Sequence, residues 1–445
     1  MHDVHQANVI FGISPVIYAS SLFILTYLLI ISERLNRAVI AMLSAALMII
    51  GGVLTQEAAV EGVDFNTIGL LTGMMIIVSI TRNSGAFQYL AIRSTKMVKG
   101  DPWGILVMLM LVTAILSAFL DNVTTVLLIA PVTILITDTL EINAYPFLFA
   151  EIFSANIGGT ATLIGDPPNI MIGSATNLGF NDFILNLAPI TIFLLFITII
   201  PIYLIWGRQI RATPELIEKV MEYREIDAIT DWGLLKKSLF VLILVLLGFI
   251  IGHDHGLQPA TTAMFGAALL LTLNCLPLNQ EKQTNMVDAA LKEVEWITLF
   301  FFMGLFILVH GLETTGILET LANKMVTMTE GDKTVTAISI LFMSAFASAI
   351  VDNIPFVATM IPIIKSMAAT FGGSEQLTPL WWSLALGACL GGNGTLVGAS
   401  ANLIIAGFAE RSGQAIRFIP FMLIAFPLML ATVSISAIYV YFRYL

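Results

Sequence analysis

Four polar interruptions break the otherwise apolar segments of this 445-residue chain. Two contain an Asp-Asn pair, at 121–125 and 352–355, and two are glycine-rich, at 158–169 and 391–402. Backbone that leaves a helix at membrane depth is tolerated where it is buried in protein or lines a cavity. Its free carbonyl groups can coordinate cations, and its helix N-termini can attract anions. The four interruptions together predict one site for a small molecule or ion.

The predicted binding residues are the amide, hydroxyl and glycine positions within these interruptions. They are Asn122, Thr124, Thr125, Gly158, Gly159, Thr160, Thr162, Asn169, Asn353, Gly391, Gly392, Asn393, Thr395 and Asn402. A second interpretation stays open for two kinds of residue. The threonines can bond helix backbone instead of a ligand, and the Asp-Asn pairs can cap the helices that follow them.

Carboxylates within apolar stretches are candidates for coupling, because an aspartate at the centre of a membrane helix costs about 2.5–3.5 kcal/mol on insertion scales. They could act as cation ligands or proton carriers. These coupling candidates are Asp121, Asp352, Glu151 and Asp166. Glu151 has an alternative role in a buried structural hydrogen bond. Cys389 could supply a soft sulfur ligand or simply be a small buried residue; we predict neither a metal centre nor a cofactor.

The surrounding elements are membrane helices. Of the residues, 58% are hydrophobic and 11% are charged, against about 25% charged in soluble domains. A formal net charge of −10 argues against nucleic acid as a partner. Ten segments can span a bilayer: 14–32, 37–54, 66–81, 146–173, 186–206, 237–252, 259–276, 296–312, 380–408 and 419–442. Two longer stretches, 104–138 and 335–369, are each interrupted by an Asp-Asn pair and predict re-entrant hairpins of two short helices.

An internal repeat relates the two halves of the chain. The run Ser-Ala-Phe-Leu-Asp-Asn at 117–122 matches Ser-Ala-Ile-Val-Asp-Asn at 348–353. The glycine-rich segment 158–165 matches 391–398, with Ala399 at the position of Asp166 and Leu384 at that of Glu151. Five crossings per half invert the second half. We predict an all-α integral membrane protein with a first repeat at 1–206, a cytoplasmic linker at 207–236 and a second repeat at 237–445.

Orientation follows from the Lys and Arg count. If the N-terminus lies outside, sixteen basic residues fall on the inside and four elsewhere. That bias holds only if the two hairpins do not cross the membrane. It predicts a multi-pass protein of the cytoplasmic (inner) membrane with both termini outside.

At these motifs the sequence resembles the arsenite permease and NhaD-type antiporter branch of the ion transporter superfamily, which includes the melanosomal P protein. The most specific matches are 119–128, 157–169, 350–356 and 387–396. The resemblance implies a scaffold domain, a mobile transport domain with elevator-like movement, and often a homodimer. It places the site at Asn122, Thr124, Asn353 and the two glycine-rich breaks. Dicarboxylate carriers of the wider superfamily have Ser-Asn-Thr at the hairpin tips, whereas an Asp precedes each Asn here.

Two acidic groups beside the site should repel a dianion and favour a neutral or cationic substrate. The leading interpretation is therefore proton-coupled efflux of arsenite or antimonite. Sodium/proton exchange is the alternative, followed by permeation of an organic anion or chloride. No nucleotide-binding loop and no protease motif occur in the sequence, so we predict a transporter and not an enzyme, with an ATPase partner left open.

Overall fold

The computed structural model describes Val9, residues 12–32 and residues 34–445, and these contain helices but no β-strand. The helices as far as the predicted linker are α1 Pro15–Ile31, α2 Arg37–Ile50, α3 Gln56–Glu61, α4 Phe65–Arg82, α5 Ala86–Met97, α6 Pro102–Phe119, α7 Asn122–Thr139, α8 Tyr145–Thr160, α9 Pro167–Ala175, α10 Phe180–Ile202 and α11 Pro214–Met221. Those that follow are α12 Trp232–Gly252, α13 Pro259–Cys275, α14 Gln280–Lys292, α15 Trp296–Thr314, α16 Ile317–Met328, α17 Lys333–Ile350, α18 Asn353–Ser366, α19 Ala368–Phe371, α20 Thr378–Gly391, α21 Ser400–Arg411 and α22 Phe418–Tyr444.

Eight helices in the described part of the chain are long and apolar enough to cross a membrane. Five of them, α4, α10, α12, α15 and α22, coincide with predicted spans, and three are hairpin arms. Three further spans, α1, α2 and α13, are shorter apolar helices. The remaining two predicted spans are each divided, into α8 and α9 and into α20 and α21. The chain is thus a multi-pass membrane protein with the predicted helix order.

The two interrupted stretches form helix pairs whose outer ends lie on one side. In the first, α7 ends at Thr139, whose hydroxyl lies 2.8 Å from that of Tyr223. The residues just before α6 approach the same segment, since a Cβ on Gly100 would lie 2.8 Å from Ile217. In the second, Lys333 at the start of α17 donates to Gln376, beyond α18, at 2.8 Å. The arms are not short, however, because α6, α7 and α17 each have 18 residues.

The inverted repeat is visible in how the helices pack. Helix α4 packs on α13, and α15, its counterpart, packs on α2. A Cβ on Gly73 would lie 2.6 Å from the backbone of Ala263, and one on Gly304 would lie 2.6 Å from the backbone of Ala41. Only glycine permits so close an approach of two helices. The hairpin helices α6 and α17 pack in the same matched way on α8 and α20.

Several amphipathic or polar helices were not predicted from the sequence. They are α3, α5, α11, α14 and α16, none of which is long enough to span a bilayer. Helices α5 and α16 precede the two hairpins and begin after Gly85 and Gly316, which have φ values of +79° and +76°. The division at 206 and 236 and the outside position of the termini stay predictions. Residues 1–8, at the predicted outer N-terminus, lie outside the described part.

Candidate functional site

The first hairpin tip is closed by its own side chains. Asp121 is the N-cap of α7 and accepts a hydrogen bond from the Thr124 backbone N–H at 2.8 Å. Its second oxygen accepts from the Thr124 hydroxyl at 2.5 Å. Thr124 is therefore engaged by the cap and not by the cavity.

The second tip has the same Asp-Asn pair but a different cap. Pro355 stands where the first tip has Thr124 and can supply neither an N–H nor a hydroxyl. Asp352 accepts instead from the Ile354 N–H at 3.3 Å, which leaves its second oxygen for other partners. That oxygen accepts from Arg37 at 2.5 Å and from the Ser400 hydroxyl at 2.8 Å.

Asp166 joins the two tips. It is the N-cap residue of α9, is 1% exposed, and makes no side-chain cap bond of its own. Asn122 donates to its carboxylate at 3.4 Å, and Asn353 donates to both of its oxygens at 3.3 and 3.4 Å. Two hairpins that are far apart in the sequence therefore share one buried acceptor.

Each glycine-rich break is held by an asparagine from the helix that follows it. Asn169 donates to the carbonyl groups of Thr160 and Thr162 at 3.1 and 2.8 Å. Asn402 does the same in the second repeat, to Gly392 at 2.7 Å and Thr395 at 2.9 Å. Both asparagines therefore stabilise unwound backbone in place of the missing helical hydrogen bonds.

The threonines within the breaks fix them to the hairpins. Thr162 donates to the Ala118 carbonyl, and Thr395 donates to the Ala349 carbonyl at 2.6 Å. Thr160 donates to the Asn156 carbonyl within its own helix at 2.7 Å. These three contacts match the alternative interpretation of the threonines as backbone partners.

Asn156 connects the two breaks and was missed in the sequence. Its amide donates to Asn393 at 3.0 Å and to Asn402 at 3.1 Å, and its oxygen accepts from Asn122. Its position in the second repeat is occupied by Cys389, whose sulfur lies 3.6 Å from the Asn169 oxygen. The signal that could have identified it in the sequence is an asparagine within the apolar segment 146–173, and the structure shows its side chain fully buried.

A small cavity of about 20 Å³ lies where the tips meet. Four carboxylates line it, from Asp121, Asp166, Glu295 and Asp352, with Arg37 as the one basic side chain among its described lining residues. The first residues of five helices, α2, α7, α9, α18 and α21, also line it. No three His, Cys, Asp or Glu side chains among the described residues are close enough to bind one metal ion.

Arg37 and Glu295 were not predicted, because each stands at a helix start and resembles an ordinary interfacial charge. Glu295 precedes α15 and accepts from the Thr298 hydroxyl at 3.1 Å. Arg37 is the first residue of α2, and its guanidinium lies 5.1 Å from the ring centre of Phe301. The inverted repeat, which brings α2 against α15, is what places both at the site.

The structure leaves other predicted residues outside the cavity lining. Glu151 is buried on α8 and accepts a hydrogen bond from Thr133, and its other oxygen has no partner among the described residues. The Thr125 hydroxyl is also buried with no partner in the described part of the chain. Gly158 and Gly391 pack against the backbone of Ala114 and Ala345. The further predicted residues outside the lining are Thr124, Gly159, Thr160, Thr162, Asn169, Cys389, Gly392, Asn393, Thr395 and Asn402.

Residues 27–387 match the sequence profile of the CitMHS family, described as citrate transporter. The chain belongs to this family. An uncharacterized transporter of Mycobacterium tuberculosis is 42% identical over 96% of the chain and 98% of its own length. The human P protein is 33% identical over 96% of the chain and 60% of its own length. The CitMHS-family chain is therefore a membrane transporter that is also similar to the P protein.

Two solved structures share the fold of this CitMHS-family chain. The MtrF antimetabolite efflux pump of Neisseria gonorrhoeae aligns over 99% of the chain and 97% of its own, with a TM-score of 0.61 and 12% identity. The YdaH transporter of Alcanivorax borkumensis aligns over 96% of the chain and 98% of its own, with a TM-score of 0.54 and 14% identity. At such identity the likeness extends to the fold alone.

Proposed function

We propose that this CitMHS-family transporter is a cation-coupled secondary transporter, whose proton or sodium ion binds at the central carboxylates. Arsenite and antimonite are the leading substrates, exported as small neutral acids. The observation that carries the proposal is the cavity between the hairpin tips, lined by four carboxylates and one guanidinium.

The charge balance of the cavity supports this choice. Five helix N-termini contribute roughly half a positive charge each, and the Arg37 side chain contributes one more. Against four ionised carboxylates, roughly half a negative charge is left over. A proton or sodium ion would neutralise it, whereas free citrate would add three negative charges. A neutral acid with hydroxyl groups could donate hydrogen bonds to the carboxylates without that penalty.

Sodium/proton exchange is the second candidate, and the size of the cavity favours it. A volume of about 20 Å³ holds roughly one water-sized occupant. A sodium ion or a hydrated proton needs no more space, while arsenous acid requires the tips to separate further. The two candidates therefore differ in how far the hairpins must move.

Elevator-type movement is proposed from the packing of the hairpins. Ser117 donates to the Ala155 carbonyl and Ser348 to the Ala388 carbonyl, both at 2.6 Å. These bonds fix each hairpin to its broken helix, so the tips and breaks would move as one unit against a scaffold that contains the α2–α15 and α4–α13 pairs. A homodimer joined through such a scaffold, and an ATPase partner, remain part of the proposal.

Transport in everted membrane vesicles tests the proposal, with arsenite, sodium and citrate compared in parallel. Arsenite accumulation that an uncoupler abolishes would support the leading substrate. Sodium-dependent proton release without arsenite accumulation would support the second candidate. Uptake of citrate alone, with neither of the other signals, would contradict both.

We also propose that segment 207–236 faces the cytoplasm, because of the sixteen-to-four distribution of basic residues. Lys219 is exposed, so Lys219→Cys offers a reporter position, whereas Val220 is buried. An impermeant thiol reagent should label this cysteine in everted vesicles but not in intact cells. Rapid labelling in intact cells would reverse the orientation.

A further inference from the structure

Beside the central cavity lies a second chamber of about 530 Å³. Its walls are mainly aliphatic, with Ile30, Leu35, Val397 and Leu403 among them. The two spaces share five lining residues: Arg37, Val123, Glu295, Asp352 and Ser400. The shared residues form the boundary between a chamber of hundreds of cubic ångströms and a cavity that fits roughly one water.

The boundary is closed by charged groups. Arg37 donates to Asp352 at 2.5 Å and to Ser400 at 2.9 Å, and Ser400 donates to Asp352 at 2.8 Å. This triangle ties the first residue of α2 to the second hairpin tip and to the start of α21. The Asp352 side chain is only 12% exposed, so its bonds to Arg37 are less screened than those of a surface pair.

The other repeat lacks this arrangement. Arg37 lies four residues before Ala41, and the matching position before Ala263 is Pro259, which carries no charge. A chamber of about 230 Å³ beside Pro259 is lined by Gly173, Phe180 and His253, but by neither hairpin tip. The central cavity therefore adjoins a chamber on one side of the molecule, and the charged triangle stands at that side.

We propose that Arg37 is a gate residue and internal counter-ion, whose pairing with Asp352 closes the passage between the chamber and the central cavity. The inference rests on the proposed function in one respect, that a cation binds at these carboxylates. A cation that reaches Asp352 must displace the guanidinium, so filling the site and opening the gate become linked events. Phe301, beneath the guanidinium, would hold Arg37 on the α2–α15 pair while the hairpin moves.

Accessibility of the cavity in purified protein tests the gate without any transport assay. Leu71 lines the central cavity but not the chamber, and it is 3% exposed. Leu71→Cys would be introduced into a Cys275→Ser background, with Cys389 left in place because it is buried. The same background without the new cysteine gives the baseline rate of labelling by a methanethiosulfonate reagent.

Arg37→Gln should accelerate labelling at position 71 about tenfold, as expected for loss of a charge-assisted hydrogen bond that holds the passage closed. Arg37→Lys keeps the charge but loses the planar guanidinium over Phe301, so its labelling rate should lie between those of the parent and Arg37→Gln. Arg82→Gln is the matched control, because Arg82 pairs with Glu293, neither residue lines either space, and the Arg82 side chain is 37% exposed.

A double-mutant cycle decides whether the two residues act through one another. Asp352→Asn alone should accelerate labelling as much as Arg37→Gln, and the double variant should label no faster than either. Equal rates in Arg37→Gln and the parent, or additive effects in the cycle, would overturn the gate. Ser400→Ala, which removes one edge of the triangle, provides a milder variant if Arg37→Gln fails to elute as a folded protein. The proposed function would survive a failed gate, since carboxylate-dependent transport is measured separately.

Discussion

Asp121 and Asp352 occupy the same position in the two repeats, but their carboxylates have different partners. Asp121 is satisfied within its own tip, by the N–H and hydroxyl of Thr124. Asp352 is satisfied from outside its tip, by Arg37 and Ser400. One substitution explains the divergence, because Pro355 in place of Thr124 removes both local donors. The two repeats therefore share the backbone architecture of the site, while the carboxylates at matching positions have different hydrogen-bond partners.

The asymmetry extends to the shared acceptor. Asp166 belongs to the first repeat, and Ala399 takes its place in the second. The backbone of the site is similar in the two repeats, but one buried carboxylate, Asp166, accepts hydrogen bonds from both tips. The ion pair between Arg37 and Asp352 involves the second tip alone. The two tips therefore present different groups to an ion or substrate, although the gradient of the coupled ion, and not this asymmetry, would set the direction of net transport.

The largest effect is expected from removing the shared acceptor. Asp166→Ala makes the first break resemble the second and leaves the Asn122 and Asn353 amides without their common carboxylate. The Asn122 amide keeps Asn156 as an acceptor, whereas the Asn353 amide loses both of its bonds to Asp166. An unpaired buried group costs about 1–3 kcal/mol, so transport should fall by up to about 100-fold. Asp138→Ala is the control, because Asp138 is exposed and lies at the far end of α7 in the first hairpin. Uptake in vesicles measures the loss, and undiminished uptake would show that the shared acceptor is dispensable.

A second and smaller contrast is expected between the two tip aspartates. Asp121→Asn and Asp352→Asn should each abolish gradient-driven accumulation, if these carboxylates carry the coupling ion. Substrate binding should survive in Asp121→Asn, since asparagine is also a good N-cap. It should weaken about tenfold in Asp352→Asn, because Arg37 loses its carboxylate. Binding by calorimetry beside uptake separates the two effects. Full pH-dependent transport by the double Asn variant would leave both residues as caps only.

The sequence predicted the skeleton of this site because the four interruptions are local patterns. An Asp-Asn pair or a run of glycines within an apolar stretch predicts a break in the helix at that point. The repeat then indicated that the four breaks come together. The hairpins, the broken helices and the central positions of Asn122, Asp166 and Asn353 all follow from those two observations.

The sequence could not predict the contacts made across the repeat interface. Arg37 and Glu295 begin helices whose partners belong to the other half of the chain, so their neighbours depend on packing and not on spacing. Glu151 stays a predicted coupling residue, since its position outside the cavity lining and its hydrogen bond from Thr133 fit both the coupling role and the structural one. Burial alone does not distinguish a coupling group from a structural one.

A third prediction compares the tightness of the two breaks. A Cβ on Gly159 would lie 2.6 Å from the Gly165 carbonyl oxygen, whereas one on Gly392 would have its nearest neighbour at 3.2 Å. Gly159→Ala should therefore destabilise the fold by about 1–3 kcal/mol, and Gly392→Ala by less. Gly407→Ala, in open space within α21, should be neutral or slightly stabilising. Thermal unfolding in detergent gives the order, and equal losses at 159 and 392 would show that both breaks are equally tight.

The smallest expected effect concerns the linker, segment 207–236, which packs on helix α5 of the first repeat. A Cβ on Gly85 would meet the Ala228 carbonyl, whereas none of the residues that the structure describes has an atom within 4 Å of one on Gly316. Glu225 fastens this contact through Lys96 at 2.8 Å and Arg93 at 3.1 Å. The hydrogen bond from Lys96 lowers the pKa of the Glu225 carboxyl to about 2.

Because the pKa of Glu225 is lowered in the folded chain, the stability that its ion pairs contribute decreases as the pH falls. The ionised contact should be fully present above about pH 4.5, the ordinary range of a glutamate, and should be lost as the pH falls through about 2. Pepsin at about pH 4 should therefore cleave the linker slowly in the wild-type chain and several-fold faster in Glu225→Gln. Glu222→Gln, an exposed neighbour, should behave like wild type. Each rate is compared with that of Glu225→Gln at the same pH, because the activity of pepsin itself rises as the pH falls. If the two rates become equal between pH 5 and 4, Glu225 titrates as an ordinary carboxyl, and its ion pairs do not hold the linker on α5.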